Sequence, residues 1–453
     1  MMACRTRCSA SPSLLITKSW TDSTFGTAGT VTLPVFQNQN AQLKSILIAP
    51  DGKIVVAGTC ALGGANLFCA VRLLPNGAQD LSFAPNGVGV ASVFIPTTAT
   101  MSLTTTLMQP DGGIVLVGEC LANNLIHFCV ARLQANGDPD KAFGTNGSVL
   151  STTSFDRYPR GAALRADGAI LVSGLCYDFG ANFCVRSYTA TGATDPNFGP
   201  AVVGSPPVTN TTRTLHISMG TATLDATGGI ARVASGKFLI AGACLNTPTV
   251  ANRIIFCTAR ISDNGSLDSS FGTSGNNGRA YNVMSSGHAE ALGILVAPDG
   301  KFFITGQCDN GGNGGLDACA ARYHSDGRLD NSFDGDGIIG NITSRATARA
   351  NASALQSDGK LLIGSTCTDA GLQKFCTSRL EGGPYGYRQC SMDIDGDGRA
   401  LGTTDAIIHA RVVAGMSGDA VVNGLSFAPG AQRRTWVAIR DYLGNHCGMP
   451  VKP

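Results

Sequence analysis

The 453-residue chain is poor in charge, in aromatic rings and in histidine. Charged residues make up 14% and aromatics 6%, with two tryptophans and six histidines. Thirty-three Lys and Arg nearly balance thirty-one Asp and Glu, for a formal net charge of +2. Such a balance offers no basic face for nucleic acid or an anionic membrane surface. Long apolar runs are missing as well, since no stretch approaches the ~18–20 residues that a spanning helix needs. The opening MMACRTRCSASPSLLITKSW has a short apolar stretch at 14–16 and no recognisable signal peptide. There is no HExxH, nucleophile elbow, P-loop or zinc spacing, and the histidines are scattered. On these absences the chain is expected not to be an enzyme.

Glycine is what the chain has in excess. Its 58 glycines are nearly twice the usual ~7%, and many stand in Asn-Gly or Asp-Gly pairs. That composition points to many tight turns and hence to all-β structure. Self-similarity explains where the turns fall. PDGKIVVAGTC (50–60) recurs as PDGGIVLVGEC (110–120), ADGAILVSGLC (166–176), ASGKFLIAGAC (234–244), PDGKFFITGQC (298–308) and SDGKLLIGSTC (357–367). In every copy the cysteine follows the turn glycine by eight residues. A second phrase follows each time, from FCAVRL at Phe68 to FCTSRL at Phe375, and then a segment of the DxSFGxxG type.

Each unit of about sixty residues holds four short β segments, which in the first copy fall near 45–49, 53–60, 68–74 and 87–94. Runs such as IVVAG are apolar on both faces, as strands sandwiched between sheets are. Four strands per unit is one propeller blade. A spare fourth strand at 22–36 precedes the array, and the sixth copy ends without one. The expected fold is therefore an all-β, six-bladed β-propeller (21–384) whose N-terminal strand closes the last blade. Residues 1–20 are read as disordered or misassigned, and 385–453 as a small two-helix module. Closure removes two exposed sheet edges; an open solenoid of the same repeats is the alternative.

Twelve of the sixteen cysteines pair one couple to a blade. They are Cys60 with Cys69, Cys120 with Cys129, Cys176 with Cys184, Cys244 with Cys257, Cys308 with Cys319, and Cys367 with Cys376. The first of each ends a second strand and the second opens a third, so across a hairpin they are expected to face each other within disulfide reach. Cys390 and Cys447 make a seventh candidate pair. Such a framework implies an oxidising compartment, extracellular or at the cell surface, with the periplasm as the alternative. Each third strand also carries an arginine and each fourth segment an aspartate, as in Arg72 and Asp80. Six copies around a ring suit a structural pair better than a ligand site.

The PDGK-IVVAG, ARL and LDxSFGxxG phrases, over 22–380, resemble the delta-60 repeat family of exported bacterial proteins. The resemblance implies a propeller-like fold and extracellular placement, and no defined activity.

From Cys390 the composition changes. CSMDIDGDGRALGTTD sets Asp393, Asp395 and Asp397 at alternating positions before Gly398, the opening of an EF-hand-type calcium loop. Arg399 and Asp405 complete the candidate metal set, although Asp405 stands at position 13 rather than 12. Helices are expected at 404–414 and 431–443. The segment resembles one half of a dockerin, without the second loop, and calcium is the expected cofactor.

Non-repeated polar residues at the channel rim are the ligand-binding candidates. They are Arg160, His288, Glu290, Arg349 and Asn351, with Asp309 and Asp317 bracketing the unusual loop DNGGNGGLD. The expected role is a secreted, monomeric binding, adhesion or scaffold protein with an unidentified protein or glycan partner. The alternative is an extracellular propeller hydrolase or lyase acting at the channel mouth.

Overall fold

A computed structural model describes residues 22–443. Left out are isolated positions and, chiefly, 152–155, 178–181, 204–207, 210–212, 220–225, 273–276, 310–315, 341–349, 357–360, 381–393 and 397–403. Two compact units are distinguished, one of residues 31–356 with 362–377 and one of residues 1–30, 357–361 and 378–453.

The described residues form six four-stranded antiparallel sheets and one two-stranded hairpin. The first sheet is Ala41–Ile48, Ile54–Leu62, Ala65–Leu73 and Val90–Val93, in that order. The second, third, fourth and fifth sheets repeat this order, starting from Thr100–Met108, Asp156–Leu164, Ala226–Arg232 and Ala289–Val296. The sixth has Ala350–Leu355, Leu361–Asp369 and Leu372–Leu380, and its fourth place is taken by Thr30–Leu33 from the start of the chain. The expected spare strand is therefore seated on the last repeat. The third repeat carries its extra length as the hairpin Val202–Val203 and Val208–Thr209 before its fourth strand, Thr214–Ile217.

The second strand of the first sheet is deeply buried, as its continuous apolar run requires. Ile54, Val55, Val56 and Ala57 are all at most 1% exposed. Turn glycines such as Gly52, with φ +80°, sit in the left-handed region that the Asp-Gly turn demands.

Five disulfides are present in the first five sheets, Cys60–Cys69, Cys120–Cys129, Cys176–Cys184, Cys244–Cys257 and Cys308–Cys319, with Cα separations of 5.7–6.0 Å. Cys376 is disulfide-bonded as well; its expected partner Cys367, like Cys390 and Cys447, has a side chain outside the described residues. One detail corrects the sequence reading. The bonded cysteines are not opposite each other but diagonal: Cys60 lies across from Leu67, and Cys69 across from Gly58. The same two-residue offset recurs in the other four sheets. It leaves a glycine facing the second cysteine, as Gly58 faces Cys69.

The arginine–aspartate pairs are structural. Arg72 Nε lies 2.8 Å from Asp80 Oδ2, Arg260 Nε 2.6 Å from Asp268 Oδ2, and Arg322 Nε 2.8 Å from Asp330 Oδ2. The guanidinium of each also covers the following phenylalanine, 4.7–4.8 Å from the ring centres of Phe83, Phe271 and Phe333. The third repeat, whose arginine is displaced by one position, solves the problem differently. Ser187 donates to Asp195 at 3.0 Å, and Arg165 from the preceding turn supplies the charge at 2.7 Å.

In the C-terminal segment, α1 (Asp405–Val413) and α2 (Trp436–Asp441) pack around Ile394, Ile408, Val421, Trp436 and Ile439. Helix α2 is shorter than the expected 431–443, because Thr435 caps it by accepting from the Ala438 N–H.

Candidate functional site

Every first strand from the first to the fifth sheet contains one residue too many for its partner. The register shifts fall between Leu43 and Ser45, Leu103 and Thr105, Pro159 and Gly161, Thr227 and Gly229, and Ala291 and Gly293. The unpaired residues are thus Lys44, Thr104, Arg160, Gly228 and Leu292. A β-bulge re-aims the side chain it carries. Here all five residues line one cavity of about 330 Å³ at the centre of the first unit, walled by the first strands.

The repeat glycine makes the bulge affordable in space. Gly58 pairs with Leu43, next to the bulge. A Cβ on Gly58 would lie 2.0 Å from the Gln42 carbonyl oxygen and 2.7 Å from the Phe375 ring. Gly118, Gly174 and Gly306 stand likewise against Phe68, Phe128 and Phe256 of the preceding sheets. The phrases IVVAG and FCAVRL therefore meet across neighbouring sheets, and their meeting shapes the channel wall.

Among the cavity-lining residues the two charged ones, Lys44 and Arg160, are both cationic. Glu119, from the second strand of the second sheet, adjoins them. Its Oε1 lies 3.5 Å from Arg160 Nη1, with side-chain exposures of 25% and 50%. Burial raises the proton affinity of Glu119 above that of an ordinary glutamate; Arg160 and Lys44 oppose the shift without cancelling it. Thr104 Oγ1 donates to the Pro159 carbonyl at 3.1 Å and fixes the second sheet against the third at this height.

The entry to the third sheet is the most distorted part of the mouth. A second register shift leaves Tyr158 unpaired, at φ +51°. Non-glycine residues rarely adopt that conformation, and it costs of order 1–3 kcal/mol. The strain places Tyr158 edge-on to Tyr177, ring centres 6.4 Å apart, with Arg160 over Tyr158 and Arg157 over Tyr177 at 5.6 Å. Tyr177 is 44% exposed. Two tyrosines and two guanidinium groups thus form a platform beside the cavity.

Of the residues singled out from sequence, Arg160 is in the cavity. Glu290 is exposed on the first strand of the fifth sheet, two residues before Leu292. His288 is exposed, and its Nδ1 accepts from the Ile254 N–H at 3.0 Å, joining the fourth and fifth sheets. Asp309 hydrogen-bonds through its backbone to His288 and Gly287. Asp317 and Asn351 lie in strands, with side chains outside the described residues, and Arg349 lies wholly outside them. Lys44, Glu119, Tyr158 and Tyr177 were missed. Glu119 had a visible signal, because it is the one acid among the residues preceding the repeat cysteine (Thr59, Glu119, Leu175, Ala243, Gln307 and Thr366).

A larger groove of about 770 Å³, lined by Ile95, Thr145 and Arg186, lies beside the outer strands. Its arginine is buried and hydrogen-bonds Ser151 at 3.2 Å, so it offers less chemistry than the channel.

In the calcium-type loop, Asp395 and Asp405 are both buried, and the Asp395 N–H donates to Asp405 Oδ1 at 2.9 Å. The acid that opens the helix thus reaches back to the loop. Asp393, Asp397 and Arg399 lie outside the described residues, and among those described no cluster of three candidate ligands forms.

Residues 49–83, 109–143 and 297–333 match the family described as "Domain of unknown function (DUF5122) beta-propeller". No curated protein matches the sequence. Among solved structures, a protein of unknown function from Dyadobacter fermentans is similar over 78% of this chain and 98% of its own, at 13% identity and a TM-score of 0.47. The α-L-arabinofuranosidase of Fusarium graminearum, solved with arabinobiose, is similar over 78% and 97%, at 10% identity and TM-score 0.44. The α-L-arabinanase of Penicillium chrysogenum is similar over 76% and 93%, at 11% identity and TM-score 0.40. Such likeness concerns the fold and says nothing of what this chain acts on. It does correct the expectation that the chain is not an enzyme: glycan-cleaving enzymes are among the proteins it resembles, so missing sequence motifs were no ground for excluding catalysis. Three of the six repeats thus match a model of β-propeller repeats.

Proposed function

We propose that the chain is an extracellular propeller enzyme of the hydrolase class, acting on a glycan at the channel mouth. The observation that carries this reading is Glu119, a half-buried carboxyl with raised proton affinity, held beside Arg160 at the cavity. A general acid holds its proton until the leaving oxygen takes it, and burial shifts Glu119 in that direction. Glu119 would protonate the glycosidic oxygen as its bond to carbon breaks. Water would form the new carbon–oxygen bond and pass its proton to a second carboxylate. Glu290, on the same rim by strand register, is the candidate for that role. The tyrosine platform offers ring faces for a sugar to stack on.

The architecture we propose behind this reading is a closed ring of six blades. Within the first unit, Thr32 Oγ1 meets Cys376 Sγ at 3.5 Å, Gln42 Nε2 donates to Gln373 Oε1 at 3.0 Å, and the Phe375 ring abuts Gly58. The first contact holds the N-terminal strand in the sixth sheet, and the other two link the sixth repeat to the first as Phe68 and Gly118 link the first to the second. The disulfides support an oxidising compartment, and no helix among the described residues is long and apolar enough to cross a membrane. The buried acids Asp395 and Asp405 support a calcium site in the C-terminal loop. Isothermal titration of the full chain with calcium should give saturable heat that D395A abolishes; no heat would reject the site.

The test of the main reading is release of reducing ends from a panel of polysaccharides. Activity should appear on at least one, and E119Q should lower kcat by about 10²–10⁴-fold. No turnover across the panel, or an E119Q variant as active as the parent, would overturn it.

A further inference from the structure

The bulges give the five inner strands different residues to present to one space, and the distribution is lopsided. Lys44, Thr104 and Arg160, from the first three sheets, make a polar, cationic arc, whereas the fourth and fifth contribute Gly228 and Leu292. Among the described residues one acid, Glu119, pairs with this arc, at 3.5 Å from Arg160. A single carboxylate cannot balance two cations. Among the described residues Lys44 forms no ion pair of its own. Arg157, over the exposed Tyr177, adds a third positive charge at the same entry.

From this arrangement we infer that the channel mouth takes an acidic polysaccharide, with Lys44 and Arg160 binding the carboxylate of a uronate residue and Tyr158 and Tyr177 flanking the sugar ring. The inference rests on the glycan reading above and narrows it to a substrate class. The guanidinium of Arg160 presents a planar fork that matches a carboxylate, and Lys44 supplies a point charge from the first sheet, on the other side of Thr104. A fixed carboxylate on the sugar would also take the place of Glu119 as the partner of Arg160. Binding then leaves Glu119 without its main electrostatic opponent and favours its protonated form, so substrate charge and general acid act together. A neutral glycan offers no group for the two cations and leaves Arg160 on Glu119. The hydroxyl of Thr104 is committed to the Pro159 carbonyl, which keeps the strand between the two cations in place.

Binding can be read apart from turnover, so the two readings fail separately. Affinity electrophoresis of the full chain would be run in gels containing polygalacturonate, neutral linear arabinan or dextran sulfate. Polygalacturonate should retard the protein, arabinan should not, and dextran sulfate should retard it at least tenfold less per unit charge. The double variant K44Q/R160Q should lose at least tenfold in affinity for polygalacturonate, and R160K, which keeps the charge without the fork, should lose less. Both positions are partly or fully exposed, and near-ultraviolet circular dichroism would check that the variants keep the native fold. Equal retardation by arabinan or by dextran sulfate, or unchanged binding by the double variant, would overturn the inference. Retardation that depends on Lys44 and Arg160, without turnover of any polysaccharide, would uphold the substrate class and reject the hydrolase.

Discussion

Arg379 and Asp22 form an ion pair 357 residues apart in the chain that reproduces one formed within eight residues elsewhere. Arg379 Nε donates to Asp22 Oδ2 at 2.7 Å, Thr24 occupies the place of Ser82, and the guanidinium covers Phe25 at 4.7 Å. The local pair Arg72 and Asp80 does the same with Ser82 and Phe83. The end of the last repeat is therefore completed by residues from the start of the chain, in the chemistry used inside the first, fourth and fifth repeats.

Both members of that pair are buried, Asp22 at 1% and Arg379 at 7% exposure. Removing one partner of a buried pair leaves the other charge uncompensated, at a cost of about 3–5 kcal/mol. R379A should lower the free energy of unfolding by that amount in urea titrations. D22N should lower it comparably, and the double variant should cost clearly less than the sum. Additive losses would mean that the pair does not act as a unit.

Acid should erode the same device in the other repeats. Burial works against ionisation of Asp80, but hydrogen bonds from Ser82, Lys53 and Arg72 outweigh it and hold its carboxyl well below the usual range. Asp268, served by Lys237, Ser270 and Arg260, is held down in the same way. A depressed carboxyl contributes stability that is complete above its unfolded pKa of about 3.9 and is lost as pH falls toward the folded value. The stability difference between the parent and D80N should therefore be constant above about pH 5 and shrink below about pH 4. A difference that stayed level down to pH 2 would contradict the assignment.

The repeat period, the strand order, the cysteine couples and the structural role of the arginines were all readable in the sequence, because each is written five or six times. The channel chemistry was harder to read for the same reason. A bulge adds no residue that the repeat spacing reveals, since the first five copies all carry it; Arg160 stood out as a non-repeated polar residue, but Lys44 looks like an ordinary strand residue until the register is known. The diagonal disulfide was hidden likewise, because the hairpin offset depends on turns of unequal length. Glu119 was legible as a departure from the repeat but sat in a strand read as core.

The glycine opposite each bulge gives a sharp structural test. A Cβ at Gly118 would lie 2.2 Å from the Ser102 carbonyl oxygen and 2.8 Å from the Phe68 ring. Neither backbone nor a packed ring can yield cheaply, and overpacking of this kind costs about 1–3 kcal/mol or more. G118A should be destabilised by at least that much. G229A is the control, because its nearest neighbour is the Ile294 Cγ2 at an ordinary 3.4 Å. Equal Tm losses in the two variants, measured by calorimetry, would argue against the role assigned to the repeat glycine.

Glu119 should show the opposite pH behaviour to Asp80. Its raised proton affinity means that folding disfavours the ionised form. Such a group costs stability above its unfolded pKa of about 4.3, and the cost is relieved as pH falls through the folded value. Replacing it with neutral glutamine removes the cost at neutral pH and changes little in acid. E119Q should therefore melt higher than the parent at pH 7, with the gap closing as the pH is lowered toward 4. The same substitution is expected to abolish turnover, so a residue that weakens the fold at working pH would be retained for its chemistry. An E119Q protein less stable than the parent at pH 7 would instead mean that the ion pair with Arg160 outweighs burial, and Glu119 would then be ionised and unable to serve as the acid.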